Sequence, residues 1–126
     1  MKKILVVDDE KDILALLGER LTQSNFSVIT AENGEEAIKL SKVAHPDLIL
    51  LDIAMAGIDG YETCEKLKED KTTENIPVLF LTGKDLDELV IREKCETLCA
   101  MGYISKTCSL KELIDKVKEV LFRDTF

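Results

Sequence analysis

The chain has 126 residues, 45% hydrophobic and 33% charged, which suffices for one domain and excludes both general disorder and two full-sized domains. A formal charge of −8 argues against nucleic acid or an acidic membrane surface as a partner and favours cations. No apolar run is long enough to span a bilayer, and Met1-Lys2-Lys3 leads into a strand-like run rather than a signal peptide, so a cytoplasmic location is expected. With 5% aromatic residues and no Trp, the core must be mainly branched aliphatic, which suits parallel strands buried between helices.

In chain order, Ile4-Leu5-Val6-Val7 is a buried-strand pattern that stops at Asp8-Asp9. Residues 11 to 23 follow a helical period, with Ile13, Leu14, Leu17 and Leu21 on one face. Ser27 to Ala31 is β-branched and short. Asn33-Gly34 punctuates, and Glu35 to Ala44 reads as a second helix ended by His45-Pro46. Leu48-Ile49-Leu50-Leu51 is a third strand and also stops at an aspartate, Asp52.

Asp59-Gly60-Tyr61-Glu62 has the spacing of a helix start, and that helix runs to Glu69. Pro77 to Thr82 is a fourth strand. Asp85 with Glu88 repeats the capping spacing and predicts a helix to Cys99. Tyr103-Ile104-Ser105 is a short fifth strand. Ser109 with Glu112 caps a last helix, whose apolar positions 110, 113, 114, 117, 120 and 121 form one stripe. Four cysteines, at 64, 95, 99 and 108, include no CxxC pair and accompany a single histidine, His45. They are expected as reduced, mostly buried packing residues, with Cys95 and Cys99 sharing a helix face.

Five strand–helix units predict an α/β fold, a doubly wound five-stranded parallel sheet of order 2-1-3-4-5. Helices 1 and 5 should cover one face and helices 2, 3 and 4 the other. Ligands of such sheets bind beyond the carboxyl ends of the strands. Those ends deliver Asp8 and Asp9, Asp52, Thr82 followed by Gly83, and Lys106. Clustered carboxylates repel one another unless a cation neutralises them. Oxygen-only ligands favour Mg²⁺ or Mn²⁺. A hydroxyl and an ammonium beside them suit phosphoryl oxygens, and Gly83 leaves space for an incoming group. The pattern points to phosphoryl transfer onto an aspartate. Singly, each residue has a plainer reading: Asp9 as a helix cap, Thr82 as a strand former, Lys106 as a solvated lysine.

Four motifs, Val6-Val7-Asp8-Asp9-Glu10, Leu50-Leu51-Asp52-Ile53 with Gly57-x-Asp59-Gly60, Leu81-Thr82-Gly83, and Tyr103-Ile104-Ser105-Lys106, carry a resemblance over essentially the whole chain. The sequence resembles the receiver domain of two-component response regulators, a CheY-like superfamily with a flavodoxin-like fold. The resemblance implies one receiver domain over residues 1–126 with no output domain in this chain. It implies Asp52 as phosphoacceptor, with Asp9 and Asp52 as Mg²⁺ ligands, Asp8 holding a metal-bound water, and the Ala54 backbone carbonyl completing the set. Thr82 and Lys106 would bind phosphoryl oxygens, and the rotamer of Tyr103 would follow Thr82. The implied protein is a signalling phosphoacceptor rather than an enzyme, catalysing only its own phosphorylation and dephosphorylation. Its implied partners are a sensor histidine kinase or a histidine phosphotransfer protein, with a downstream effector or a homodimer as output. Helix 1 beside the site and the Thr107-Cys108 loop would dock the phosphodonor, with Ile13 and Leu14 divided between that surface and the core.

Departures from the family pattern are Ala56 and Thr107 where proline is usual, no Gly-Ala pair before Gly102, and a slightly long Thr82-to-Lys106 stretch. A cis bond before Thr costs roughly 2.5–4 kcal/mol, against about 0.5–1 kcal/mol before Pro. A trans Lys106–Thr107 bond is therefore expected, with Lys106 still aimed at Asp52. A haloacid-dehalogenase-like phosphatase would need D-x-D after strand 1, and a flavodoxin-like FMN carrier a Ser/Thr/Gly phosphate loop. The sequence has neither. The alternative reading is a phosphorylation-independent pseudo-receiver.

Overall fold

The computed structural model describes residues 1–83 and 86–122. Its elements run β1 (Lys3–Val7), α1 (Lys11–Gln23), β2 (Ser27–Ala31), α2 (Gly34–Ala44), β3 (Leu48–Asp52), α3 (Gly60–Glu69), β4 (Val78–Thr82), α4 (Glu88–Thr97), β5 (Gly102–Ser105) and α5 (Leu110–Phe122). The strands form one parallel sheet in the order β2-β1-β3-β4-β5. Both the topology and the alternation match the sequence reading.

Continuous apolar runs become the central strands because both of their faces are covered. Every residue of β3 and β4 is buried. Alternation along each strand then divides the core in two. Ile4, Val6, Leu50 and Leu81 pack with α1 and α5. Leu5, Val7, Leu51 and Phe80 pack with α2, α3 and α4. The α5 stripe behaves as its spacing predicts: Leu113, Ile114, Val117 and Val120 are buried, and Leu110 and Leu121 lie at the margin. Truncating Leu113 to Ala would cost about 2–5 kcal/mol.

Short polar side chains set the helix starts, each worth about 1 kcal/mol. Asn33 accepts from the Glu36 N–H at 2.8 Å, Asp59 from Glu62 at 2.8 Å, and Ser109 from Glu112 at 3.1 Å. The fourth helix differs from its expectation at both ends. Asp85 lies outside the described residues. The cap is Asp87, which accepts from the Leu89 N–H at 2.9 Å and starts a register that buries Ile91 and Cys95. At the other end the helix stops at Thr97 rather than Cys99. Ala100 N–H bonds the Cys95 carbonyl at 2.9 Å, and Cys99 takes a left-handed φ of 57°. This is a Schellman-type stop with cysteine where glycine is usual. Cys99 is therefore exposed beyond the helix and shares no face with buried Cys95. The cysteines are all free, but only Cys64 and Cys95 are buried, with Cys108 intermediate. No helix among the described residues is long and apolar enough to cross a membrane.

Candidate functional site: an acidic edge bridged by one lysine

The sheet order brings the predicted residues to one edge. Asp8 follows β1, Asp52 ends β3, Thr82 ends β4 and Lys106 follows β5. Strand register places Asp52 beside Leu81, and Thr82 beside Ser105. Asp8, Asp52 and Thr82 are buried, whereas Asp9 and Glu10 are exposed. Each buried aspartate is oriented by the loop it opens. Asp8 Oδ1 accepts from the Glu10 N–H at 3.0 Å, and Asp52 Oδ1 from the Ala54 N–H at 3.3 Å. Both are local turns in which the side chain satisfies a backbone donor two residues on.

Two glycines shape the β3–α3 loop. Gly57 has a φ of +79°, a region unfavourable for residues with a Cβ. Gly60 packs so closely that a Cβ would overlap the Asp52 carbonyl oxygen, and its N–H bonds the Ile53 carbonyl at 2.8 Å. At Gly83, in contrast, a Cβ would meet none of the described residues within 4 Å, which leaves room beside Thr82 on their side.

Lys106 bridges the edge. Its ammonium lies 2.8 Å from Asp8 Oδ2, 3.2 Å from Asp52 Oδ2 and 3.7 Å from Glu10 Oε1. Its backbone N–H bonds the Thr82 carbonyl at 2.9 Å. Burial pushes the Asp52 carboxyl up, the charge of Asp8 pushes it further, and Lys106 pulls it back, leaving a pKa of about 6. Burial works against the Lys106 ammonium, but the two carboxylates outweigh it and raise its pKa. Lys106 thus offsets one of the two buried negative charges internally. Apart from this ammonium, Asp8 Oδ2 and Asp52 Oδ2 are buried acceptors with no hydrogen-bond partner among the described residues.

Those two oxygens make the edge a fit for a hard divalent cation, which takes carboxylate and carbonyl oxygens. The carboxylates of Asp8, Asp9 and Glu10 have oxygens within 4.8 Å of one another. Glu10 is an addition to the expected set. Asp9 does not cap α1: the N-cap is Glu10, without a side-chain bond. Asp9 Oδ2 instead accepts a long bond from the Ala56 N–H at 3.4 Å. A proline at 56 would have no such donor, so Ala56 supplies a contact that the usual residue could not.

Tyr103 faces α4. Its hydroxyl donates to Glu88 Oε1 at 2.6 Å and accepts from Arg92 Nε at 3.2 Å, and Arg92 pairs with Glu88 at 3.0 Å. The Glu88–Arg92 pair follows from i, i+4 spacing on α4; its meeting with Tyr103 depends on tertiary packing. Beside Lys106, between α1 and α5, lies an apolar cavity of about 110 Å³ lined in part by Ile13, Leu16, Leu81 and Cys108. Ile13 is partly exposed and Leu16 is 48% exposed, whereas Leu14 is buried in the core. The Lys106–Thr107 bond is trans, as its intrinsic preference predicts.

A doubly wound sheet of this order, with two buried aspartates bridged by a lysine at its carboxyl edge, has its candidate site where such folds bind ligands. Residues 4–118 match the family described as the response regulator receiver domain, and the chain belongs to that family of two-component systems. It is 43% identical over 124 residues to the alkaline phosphatase synthesis transcriptional regulatory protein PhoP of Bacillus subtilis, covering 97% of this chain and 49% of that protein. Identity to the transcriptional regulatory protein ResD of the same organism is 42% over 121 residues, covering 96% and 48%. The chain thus spans about half the length of the curated relatives it matches. Among solved structures, the chemotaxis protein CheY4 of Vibrio cholerae superposes with a TM-score of 0.89 at 25% identity, covering 96% of this chain and 99% of that one. A two-component response regulator from Clostridium difficile gives 0.88 at 28% identity, with full coverage of both.

Proposed function

We propose that residues 1–126 act as a phosphorylation-activated switch in the cytoplasm that accepts a phosphoryl group on Asp52 from a histidine kinase or histidine phosphotransfer protein. The observation that carries this reading is the Lys106 ammonium held against both buried carboxylates, 2.8 Å from Asp8 and 3.2 Å from Asp52. A carboxylate oxygen of Asp52 attacks the phosphorus of a phosphohistidine. The P–O bond forms as the P–N bond breaks, and the imidazole leaves with the bonding pair. With a pKa of about 6, Asp52 is mostly ionised at neutral pH and is a competent nucleophile. Lys106 and the Thr82 hydroxyl receive the charged phosphoryl oxygens, and the open space at Gly83 admits the donor.

Asp9, Asp52 and the Ala54 carbonyl would hold Mg²⁺, or Mn²⁺, with Asp8 through water and Glu10 alongside. The bound cation offsets negative charge on the carboxylates and the transferring group. Retention of Asp8, Asp9, Asp52, Thr82 and Lys106 together supports this reading over a phosphorylation-independent binding module. Exposed Leu16, partly exposed Ile13 and the Thr107-Cys108 loop border the site and suit a docking helix of the phosphodonor. Incubation with acetyl phosphate and Mg²⁺ tests the chemistry without a partner. One added phosphoryl group by intact mass is expected, and none would overturn the proposal.

A further inference from the structure

Lys106 is flanked by two hydroxyls that bond one another. The Cys108 N–H bonds the Ser105 carbonyl at 3.1 Å, so Lys106 and Thr107 are the central residues of a four-residue turn. Ser105 Oγ accepts the Thr107 N–H at 3.1 Å and shares a second hydrogen bond with Thr107 Oγ1 at 2.7 Å. Two bonds thus close the turn across Lys106. The N–H concerned is one that a proline at 107 would lack, and its acceptor comes from within the same turn.

The lysine stem is long and flexible, so its reach depends on where the backbone sends it. One anchor is the bond from the Lys106 N–H to the Thr82 carbonyl at 2.9 Å. The hydroxyl pair is the other. Thr107 is exposed and Ser105 only partly buried, so neither side chain is needed to fill the core. We propose that Ser105 and Thr107 form a hydroxyl clamp that positions Lys106 against Asp8 and Asp52, by hydrogen bonds rather than by a ring constraint. The two are positioning residues; their effect on phosphoryl uptake rests on the function proposed above.

The test compares Ser105→Ala, Thr107→Val, Thr107→Ser and the Ser105→Ala/Thr107→Val double variant with the wild type. Three quantities are measured: the maximal rate of uptake from acetyl phosphate with Mg²⁺, the melting temperature, and the NMR signal of the Lys106 ammonium. Ser105→Ala and Thr107→Val should each slow uptake, from a few-fold up to the roughly hundredfold loss that an ångström of misplacement brings. The melting temperature should change little. Thr107→Ser, which keeps the hydroxyl, should restore the rate. The double variant should be no slower than the worse single one, because both break one unit. Wild-type rates in both single variants would overturn the clamp. If the wild type itself takes up no phosphoryl group, the functional reading fails and the ammonium signal decides. Its loss in Ser105→Ala and Thr107→Val with retention in Thr107→Ser supports the clamp, and an unchanged signal throughout refutes it.

Discussion

The ammonium of Lys106 lies 3.2 Å from Oδ2 of Asp52, and with its 2.8 Å contact to Asp8 it carries the charge balance of the sheet edge. Removing that cation leaves two buried carboxylates facing one another. Lys106→Met should therefore lower stability at neutral pH, by up to about 3 kcal/mol. The loss should shrink near pH 5, where Asp52 takes up a proton. Urea denaturation at both pH values measures the difference, and a pH-independent loss would point to packing of the stem instead.

A divalent cation should stabilise the fold by relieving the same repulsion. At ten times its dissociation constant, Mg²⁺ is expected to add about 1.4 kcal/mol. Asp9→Asn should weaken the response while slightly raising metal-free stability, because among the described residues Asp9 makes only the long Ala56 contact and its removal deletes a like charge. Calorimetric melting with and without Mg²⁺ measures both effects. A wild-type melting temperature indifferent to millimolar Mg²⁺ would refute the site.

The raised Asp52 pKa predicts a pH dependence with a definite sign. Its folded value of about 6 stands above the ordinary 3.8, so the folded state binds more protons between those values. Its contribution is most favourable below the ordinary value and is lost as pH rises through about 6. Without metal, the loss should be on the order of 3 kcal/mol. Asp52→Asn should flatten the profile in this window. Asp70 acts with opposite sign and lower down. Hydrogen bonds from the Thr72 hydroxyl and N–H, then Lys42, hold its pKa at about 2, so its contribution is present above 3.8 and lost as pH falls through about 2. Denaturation curves at a series of pH values separate the two.

Cys99 carries a left-handed φ of 57° at the end of α4, where a Cβ crowds the following carbonyl. Cys99→Gly should raise stability by about 1 kcal/mol, and Cys99→Val should lower it. Equal stabilities would show that the stop is relaxed with a side chain present.

Much of this was legible because strand ends and functional residues coincide. Apolar runs stopping at Asp8 and Asp52 announced both the strands and the carboxylates, and five strand–helix units left few topologies for bringing them together. Less legible was anything decided by side-chain reach. The spacing of Asp85 and Glu88 points to a start at Asp85, whereas the cap is Asp87, which sets the helix register that buries Ile91 and Cys95. Cys99 fits a helical period, yet a Schellman stop ends the helix before it. Glu10 and the bond from Ala56 to Asp9 depend on how loops from distant segments meet, which no local spacing encodes. The Ser105–Thr107 bond spans two residues, but its value lies in the lysine between them, which local patterning leaves unmarked.

The most direct measurement locates the phosphoryl group itself. Protein treated with acetyl phosphate and Mg²⁺ is reduced with borohydride, which converts an aspartyl phosphate to homoserine, and its peptides are sequenced by mass spectrometry. The account predicts homoserine at position 52 alone, and no conversion in Asp52→Asn. Homoserine at position 8 or 9, or undiminished labelling of the Asp52→Asn variant, would contradict it.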